Sequence, residues 1–206
     1  LEILLNSLKK SIVKIPDSSE GNFVNKYFPN WSIPYLHLSR ADRPTGTWLL
    51  LLPCLFGILL AYVEKNNLSV SFYEIWLLIA CTIGAFLMRG AGCTWNDILD
   101  KDYDAKVKRT QNRPIPSGQV TIRRAIYWMI VQSLLAFIIL LTFNKFSILV
   151  TCLSLLLVAI YPLAKRFTWW PQIFLGLAFN WGVLVGYSAI THELSLSVFL
   201  MYLACI

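Results

Sequence analysis

Arg89-Gly-Ala-Gly-Cys-Thr-Trp-Asn96-Asp97-Ile-Leu-Asp100-Lys-Asp102-Tyr-Asp104-Ala-Lys-Val-Lys-Arg109-Thr-Gln-Asn-Arg113-Pro-Ile-Pro-Ser-Gly118 is where the chain passes from an apolar run into a charged loop. Wound as a helix at 100° per residue, with Arg89 at zero, this stretch puts Asn96 at about −20° and Asp100 at about +20°. Asp104 then falls at about +60° and Asp97 at about +80°. One face about 100° wide carries Arg89, Asn96 and three carboxylates, and Asp102 points the other way. Like charges four residues apart destabilise a helix, and desolvation at the end of a membrane helix raises the cost. The arrangement calls for a cation. Carboxylate oxygens with one amide suit a hard ion, and Mg²⁺ characteristically bridges a few carboxylates to substrate phosphates. The basic residues just beyond (Lys106, Lys108, Arg109 and Arg113) suit the same phosphates directly. The local reading is a metal–diphosphate site at a membrane surface.

Two plainer readings compete. Asp100, Asp102 and Asp104 match positions 1, 3 and 5 of a calcium loop, but such a loop needs Gly at position 6 and Glu at position 12. Ala105 and Gln111 stand there instead. The other is a solvated loop that only sets topology, against which stands the shared register of Arg89, Asn96, Asp100 and Asp104.

Of the 206 residues 57% are hydrophobic and only 14% charged, well below the roughly 25% of soluble domains. Several apolar runs of about 17 to 23 residues are long enough to cross a bilayer as helices, without the alternation of a barrel. The expected fold is all-α, a multi-pass transmembrane helix bundle. A chain that starts at Leu1 and stops inside an apolar run reads as a fragment cut within a membrane helix. Cys54, Cys81, Cys93, Cys152 and Cys205 all lie in apolar segments, where buried free thiols are the default. His37 and His192 are far apart in sequence and read as neither ligands nor bases.

Residues 1–39 form an N-terminal region, partly polar and interfacial, and 40–206 a membrane domain. Leu1 to Lys14 suits a basic amphipathic helix, and a transit segment is a weaker reading because of Glu2. Asp17 to Asn22 is a polar linker, and Trp31 and Tyr35 are surface anchors. The expected spans are Thr47 to Val63, Phe72 to Thr94, Ala125 to Phe143, Phe146 to Tyr161 with Pro162 at its end, and Ile173 to Ile190; a sixth begins near the chain end. Asn180 within the fifth either bonds a neighbouring helix or faces a cavity. Arg89 sits inside the second span, where a cation needs a partner, so it is a functional candidate; an arginine that merely reaches the interface is the alternative. Fifteen Lys and Arg fall on the side of the N-terminus against Lys65 and Lys145 on the other, a strong positive-inside signal. The net charge of +7 is topology and phosphate binding, with no reason to invoke nucleic acid.

The spacing Asn96-Asp97-x-x-Asp100-x-x-x-Asp104 resembles the first Asp-rich motif of the UbiA superfamily of intramembrane prenyltransferases. Its flanks, Arg-Gly-Ala-Gly-Cys-Thr before and Arg-Thr-x-Asn-Arg-Pro-Ile after, are similar to the branch that prenylates 4-hydroxybenzoate, particularly its mitochondrial members in ubiquinone synthesis. Asp42-Arg43-Pro44-Thr45-Gly46-Thr47 resembles the family's first-helix opening. Residues 161–176, with Tyr161-Pro-Leu-Ala-Lys165-Arg166, resemble its fourth-to-fifth helix connection, and Phe179-Asn180-Trp181-Gly182 fits its fifth helix.

The resemblance implies nine membrane helices around a central cavity, of which about five and a half fall here. The second Asp-rich motif would lie beyond the chain end, so this piece alone is expected to be inactive. It implies Mg²⁺ at Asn96, Asp100 and Asp104, with Asp97, Asp100 and Asp104 as catalytic carboxylates. Arg109, Arg113, Lys165 and Arg166 would bind the diphosphate of a polyprenyl diphosphate. Ionisation would give an allylic cation, stabilised by Tyr161, that attacks the ring carbon ortho to the phenol; Arg43 or Arg89 would hold the benzoate carboxylate. The implied setting is the mitochondrial inner membrane with the Asp-rich loop on the matrix side, or the cytoplasmic membrane of a bacterium, with association with other quinone-biosynthesis enzymes. Other acceptors, naphthoate or homogentisate, keep the same chemistry. A cation-coupled transporter would want its carboxylates mid-span, and a head-group phosphotransferase its own Asp-Gly and Ala-Arg pattern.

Overall fold

The computed structural model describes residues 22–65, 71–164 and 168–206. The amphipathic helix read at residues 1–14, most of the linker after it, and Lys165 and Arg166 lie outside the described residues.

Every element among the described residues is helical. Two short helices, α1 (Phe23–Tyr27) and α2 (Ile33–Leu38), precede the membrane bundle. The bundle comprises α3 (Thr45–Lys65), α4 (Phe72–Leu99), α6 (Ile122–Leu140), α7 (Lys145–Ala164), α8 (Pro171–Asn180) and α9 (Gly182–Thr191), followed by α10 (Leu196–Cys205). One short turn of helix, α5 (Lys101–Asp104), follows α4. Five stretches are long and apolar enough to span a membrane: α3, α4, α6, α7, and α8 with α9 taken together.

The helix ends follow local chemistry. Ser71 and Glu74 form a capping box at the start of α4, and the Thr121 hydroxyl accepts from the Arg124 N–H at the start of α6. Asn144 does two things before α7. Its Oδ1 accepts from the Ser147 N–H at 2.9 Å, and its Nδ2 donates to the carbonyls of Ser188 and Ala189 at 2.9 and 3.1 Å. The start of α7 is thereby pinned to the end of α9.

Core packing relies on small residues. A Cβ at Gly57 of α3 would lie 2.0 Å from the Val183 carbonyl oxygen, and one at Gly186 of α9 would lie 2.1 Å from that of Cys54. Backbones so close require glycine, the usual device where lipid gives helices no hydrophobic reason to associate. Leu51, Ile58, Val183, Leu184 and Tyr187 fill the seam around them. Long apolar side chains such as Leu59, Phe72, Leu134 and Leu156 face outward, as a lipid-facing surface demands.

Several boundaries depart from the sequence reading. The helix of the second span continues past Thr94 to Leu99, so Asn96 and Asp97 lie within it, in keeping with the helical register read for the motif. The third runs from Ile122 to Leu140, about one turn earlier than hydrophobicity suggested. Pro162 does not end the fourth helix, which runs on to Ala164; membrane helices tolerate Pro because neighbours satisfy the freed carbonyl. The fifth span is broken at Trp181, where α8 gives way to α9. There the Asn180 amide donates to the Gly176 carbonyl at 3.0 Å and to the Cys205 carbonyl at 2.7 Å. Of the two readings left open for Asn180, the bond to a neighbouring helix is the one observed.

Candidate active site

The two ends of the bundle hold different charged contacts. Lys65 donates to the Ile190 carbonyl at 2.6 Å, and Glu64 accepts from the Tyr187 hydroxyl, at the end where α3, α7 and α9 meet. The segment before α3 lies at the opposite end, against the Asp motif, through Arg40 and Asp97. Arg40 and the loop arginine Arg113 thus share the motif end, and Lys65 lies at the other.

The three motif positions form one ladder. The Asp100 N–H donates to the Asn96 carbonyl at 3.0 Å, and the Asp104 N–H to the Asp100 carbonyl at 2.8 Å. Asp100 itself leaves helical geometry, with φ −95° and ψ 2°, yet the i to i+4 bonds pass straight through it. Asn96, Asp100 and Asp104 therefore stack one turn apart, as the helical wheel predicted. Asp100 and Asp104 are buried, whereas Asp102 is exposed on the far side.

Asp97 stands in a different relation. Its carboxylate is 1% exposed and is gripped by an arginine that the sequence reading did not single out. Nη2 of Arg40 donates to both oxygens, at 2.8 and 3.1 Å. Arg113 reaches the same carboxylate at 3.4 Å and Oδ2 of Asp104 at 2.8 Å. Arg40, Asp97, Arg113 and Asp104 thus form an alternating chain of charges. A buried carboxylate is tolerable only when paired and hydrogen-bonded in this way. Asp97 holds the local structure together, while Asn96 and Asp100 keep to the ladder.

Arg40 reaches Asp97 from an unusual backbone. The Ala41 N–H donates to the Leu36 carbonyl and the Arg40 N–H to that of His37, the two bonds of a Schellman cap ending α2. Arg40 occupies the left-handed position of that cap, at φ 54°, where glycine is the ordinary choice. A side chain there costs about 1 kcal/mol. The preceding Ser39 hydroxyl accepts from Trp128 Nε1 at 2.8 Å and from Gln132 Nε2 at 2.9 Å, fixing the cap against α6. No glycine marks this turn in the sequence, so the cap left no trace to read.

Arg89 lies one turn before Cys93 and two turns before Asn96 on the same side of α4, against Gly46 of α3 and Phe179 of α8. A Cβ on Gly46 would fall 2.3 Å from its Nε, and its guanidinium lies 5.6 Å from the centre of the Phe179 ring. Its Nε is buried and makes no hydrogen bond with the described residues. Arg43, the other candidate for the acceptor, donates from Nε to Asp42 at 3.2 Å. Asp42 is held below its ordinary value. Burial alone would raise it, but this is outweighed by His37, whose Nδ1 stands 3.7 Å away, and by Arg43. His37 also meets Asn25 Oδ1 through Nε2 at 2.9 Å, so both its ring nitrogens face protein groups.

Tyr161 donates to the Gly92 carbonyl at 3.4 Å, one turn below Asn96, which brings the end of α7 to the motif face. Arg109, Lys106 and Lys108 are exposed on the loop, and Arg109 makes no ion pair with the described residues. An open depression of about 360 Å³, lined by Lys101, Asp102, Pro116 and Thr121 among others, lies on the Asp102 side. None of Asn96, Asp100, Asp104 or Arg113 lines it, so it is no part of the motif site.

Among the described residues no three His, Cys, Asp or Glu side chains are gathered around a common metal position. The donors present are the Asn96 amide and the Asp100 and Asp104 carboxylates. That all-oxygen set is short of a full coordination shell and fits a Mg²⁺ ion completed by water and substrate phosphate.

The family model of the UbiA prenyltransferase family matches residues 50–206. The chain is 45% identical over 186 residues to the mitochondrial 4-hydroxybenzoate polyprenyltransferase of Arabidopsis thaliana, covering 90% of this chain and 44% of that protein. It is 49% identical over 165 residues to the protein of that name from Homo sapiens, covering 80% and 43%. Among solved structures, a UbiA homolog from Aeropyrum pernix, in its apo form, superposes with a TM-score of 0.62 at 26% identity, covering 80% of this chain and 56% of that one. A UbiA homolog from Archaeoglobus fulgidus bound to GPP and Mg²⁺ superposes with a TM-score of 0.64 at 18% identity, covering 84% and 58%. The chain therefore spans less than half the length of these two named relatives.

Proposed function

The chain belongs to the UbiA prenyltransferase family, and from that premise we propose that it transfers a polyprenyl group from polyprenyl diphosphate to 4-hydroxybenzoate. The group goes to the ring carbon ortho to the hydroxyl, with Mg²⁺ as cofactor, in ubiquinone biosynthesis. The observation that carries the reading is the unbroken Asn96–Asp100–Asp104 ladder at the mouth of the bundle, flanked by arginines. The same ladder argues against the transport reading, which needs its carboxylates at mid-span.

Asn96 and Asp100, joined by Asp104, would hold the metal. When bound, the ion would supply charge neutralisation to the leaving diphosphate. Arg113 meets the same diphosphate from the loop, and Arg109, Lys165 and Arg166 are the further cations read for it from the sequence. The prenyl C–O bond breaks, the electron pair leaves with the diphosphate, and the allylic carbon bonds the ring, which then loses its proton. Tyr161 offers its ring to the positive charge in transit. Arg89 receives the benzoate carboxylate, because its buried Nε lacks a described hydrogen-bond partner while Arg43 is engaged by Asp42. The names of the relatives and the excess of Lys and Arg at the motif end support a mitochondrial inner membrane setting, with the Asp-rich loop in the matrix.

The test is prenylation by the intact protein in liposomes, given polyprenyl diphosphate, 4-hydroxybenzoate and Mg²⁺. Prenylated benzoate that disappears with Asp100→Ala and with a chelator is the expected result. Product with naphthoate or homogentisate alone would keep the chemistry and overturn the acceptor. No product with any aromatic, from folded protein, would overturn the reading.

A further inference from the structure

We propose that Arg40 is a positioning residue for the metal–diphosphate site: it holds Asp97 so that Arg113 is at liberty to leave the carboxylates when cation and diphosphate arrive. The inference rests on the reading of the site given above.

Asp97 is enclosed, and its described partners are Arg40 and Arg113. Arg113 is shared, with its short contact to Asp104 and its long one to Asp97. A divalent cation at Asp104 competes with Arg113 for the same carboxylate and repels the guanidinium. The diphosphate offers Arg113 a better fork partner close by. Once Arg113 turns away, Asp97 would be a bare buried charge unless another cation stayed on it. Arg40 is that cation. Both its contacts to Asp97 are shorter than that of Arg113, and Ser39 beside it is locked to Trp128 and Gln132. The backbone makes the same point from the other direction. At φ 54° a glycine would be easier, so the arginine is there for its side chain. In this scheme Arg40 is the fixed clamp and Arg113 the mobile one.

The left-handed site allows a clean test, because Arg40→Gly removes the side chain while easing the backbone. The intact protein is compared with Arg40→Gly and with Arg40→Lys, which keeps the charge and loses the fork. The expected result for Arg40→Gly is a folded protein with a lower unfolding temperature than the parent's, since easing the turn offsets only part of the lost ion pair. Its kcat falls about tenfold or more, and its half-saturating Mg²⁺ and KM for the prenyl diphosphate rise several-fold. KM for the aromatic acceptor stays unchanged. Arg40→Lys recovers part of each loss. Arg40→Gln carries the same expectation as the glycine variant and decides the matter if that variant is not recovered folded. Parental kcat and parental Mg²⁺ dependence in a folded Arg40→Gly or Arg40→Gln protein would overturn the proposal.

Calorimetric titration with Mg²⁺ and inorganic diphosphate separates this proposal from the reaction assignment. If the parent prenylates no aromatic, the assignment fails by itself. Weaker diphosphate binding by the Arg40 variants would still support the clamp, and equal binding would still sink it.

Discussion

Nη1 of Arg113 donates to Oδ2 of Asp104 at 2.8 Å while standing 3.4 Å from Oδ1 of Asp97, so one guanidinium ties the last turn of α4 to the turn that follows it. Arg40 closes the chain on the other side of Asp97. The helix end that presents Asn96 and Asp100 is therefore held by charges 57 and 16 residues away in sequence.

Asp97→Ala should destabilise strongly, because it leaves Arg40 buried without its carboxylate. Breaking one side of a buried pair costs about 3–5 kcal/mol. Asp97→Asn, which keeps the shape and one acceptor, should cost less. Asp102 is exposed, and Asp102→Ala should stay within about 0.5 kcal/mol of the parent. Unfolding in detergent would measure all three. Equal stability of the Asp97 and Asp102 variants would mean that the ion chain does not hold this end of α4.

The glycines give a second contrast. Gly57→Ala and Gly186→Ala put a Cβ about 2 Å from a facing carbonyl oxygen, at 2.0 and 2.1 Å, and neither backbone can step aside. The two helices must separate, at a cost of about 1–3 kcal/mol or more. Gly84→Ala meets nothing within 4 Å and lies inside α4, so it should be neutral or stabilising by up to about 1 kcal/mol. Thermal unfolding of the three variants checks the sign as well as the size.

Asp42 supplies a pH dependence. Its folded-state value lies below the ordinary 3.8, since His37 and Arg43 outweigh the effect of burial. A depressed carboxyl lends stability that is complete above its unfolded value and is lost as pH falls through the folded one. The loss is therefore confined to acid, near 3.8 and below. Asp42→Asn should be less stable than the parent at neutral pH, with a gap that is level down to about pH 5 and narrows as pH falls through 3.8 and below. A gap that stays constant over that range would show that the charge on Asp42 contributes nothing.

What could be read from the sequence divides along the range of the interactions. The spans were legible because apolar length suffices for them, and Asn96, Asp100 and Asp104 because a period of 3.6 is local. The bond made by Asn180 was hidden, since its partner Cys205 lies 25 residues on. Arg40 was hidden for two reasons. Its partner is 57 residues away, and the left-handed turn that aims it carries no glycine to announce it. Arg89 stood out only because a cation inside an apolar run is costly, and its place between Gly46 and Phe179 needed the fold.

Arg89 carries the last prediction. Its guanidinium faces the Phe179 ring, and its Nε is buried with no hydrogen bond to the described residues, an arrangement suited to receiving a carboxylate. Arg89→Leu removes the cation while keeping the apolar stem, so its main effect falls on the acceptor. KM for 4-hydroxybenzoate should rise about tenfold to a hundredfold, the range of a lost charge-assisted hydrogen bond at about 1.5–3 kcal/mol. KM for the prenyl diphosphate should change little, because Arg113, proposed to meet the diphosphate, pairs with Asp104 and not with Arg89. A phenol without the carboxylate should be used equally well by parent and variant. The opposite pattern, a raised KM for the diphosphate with an unchanged one for the benzoate, would move Arg89 to the donor half of the site and leave Arg43 to hold the acceptor.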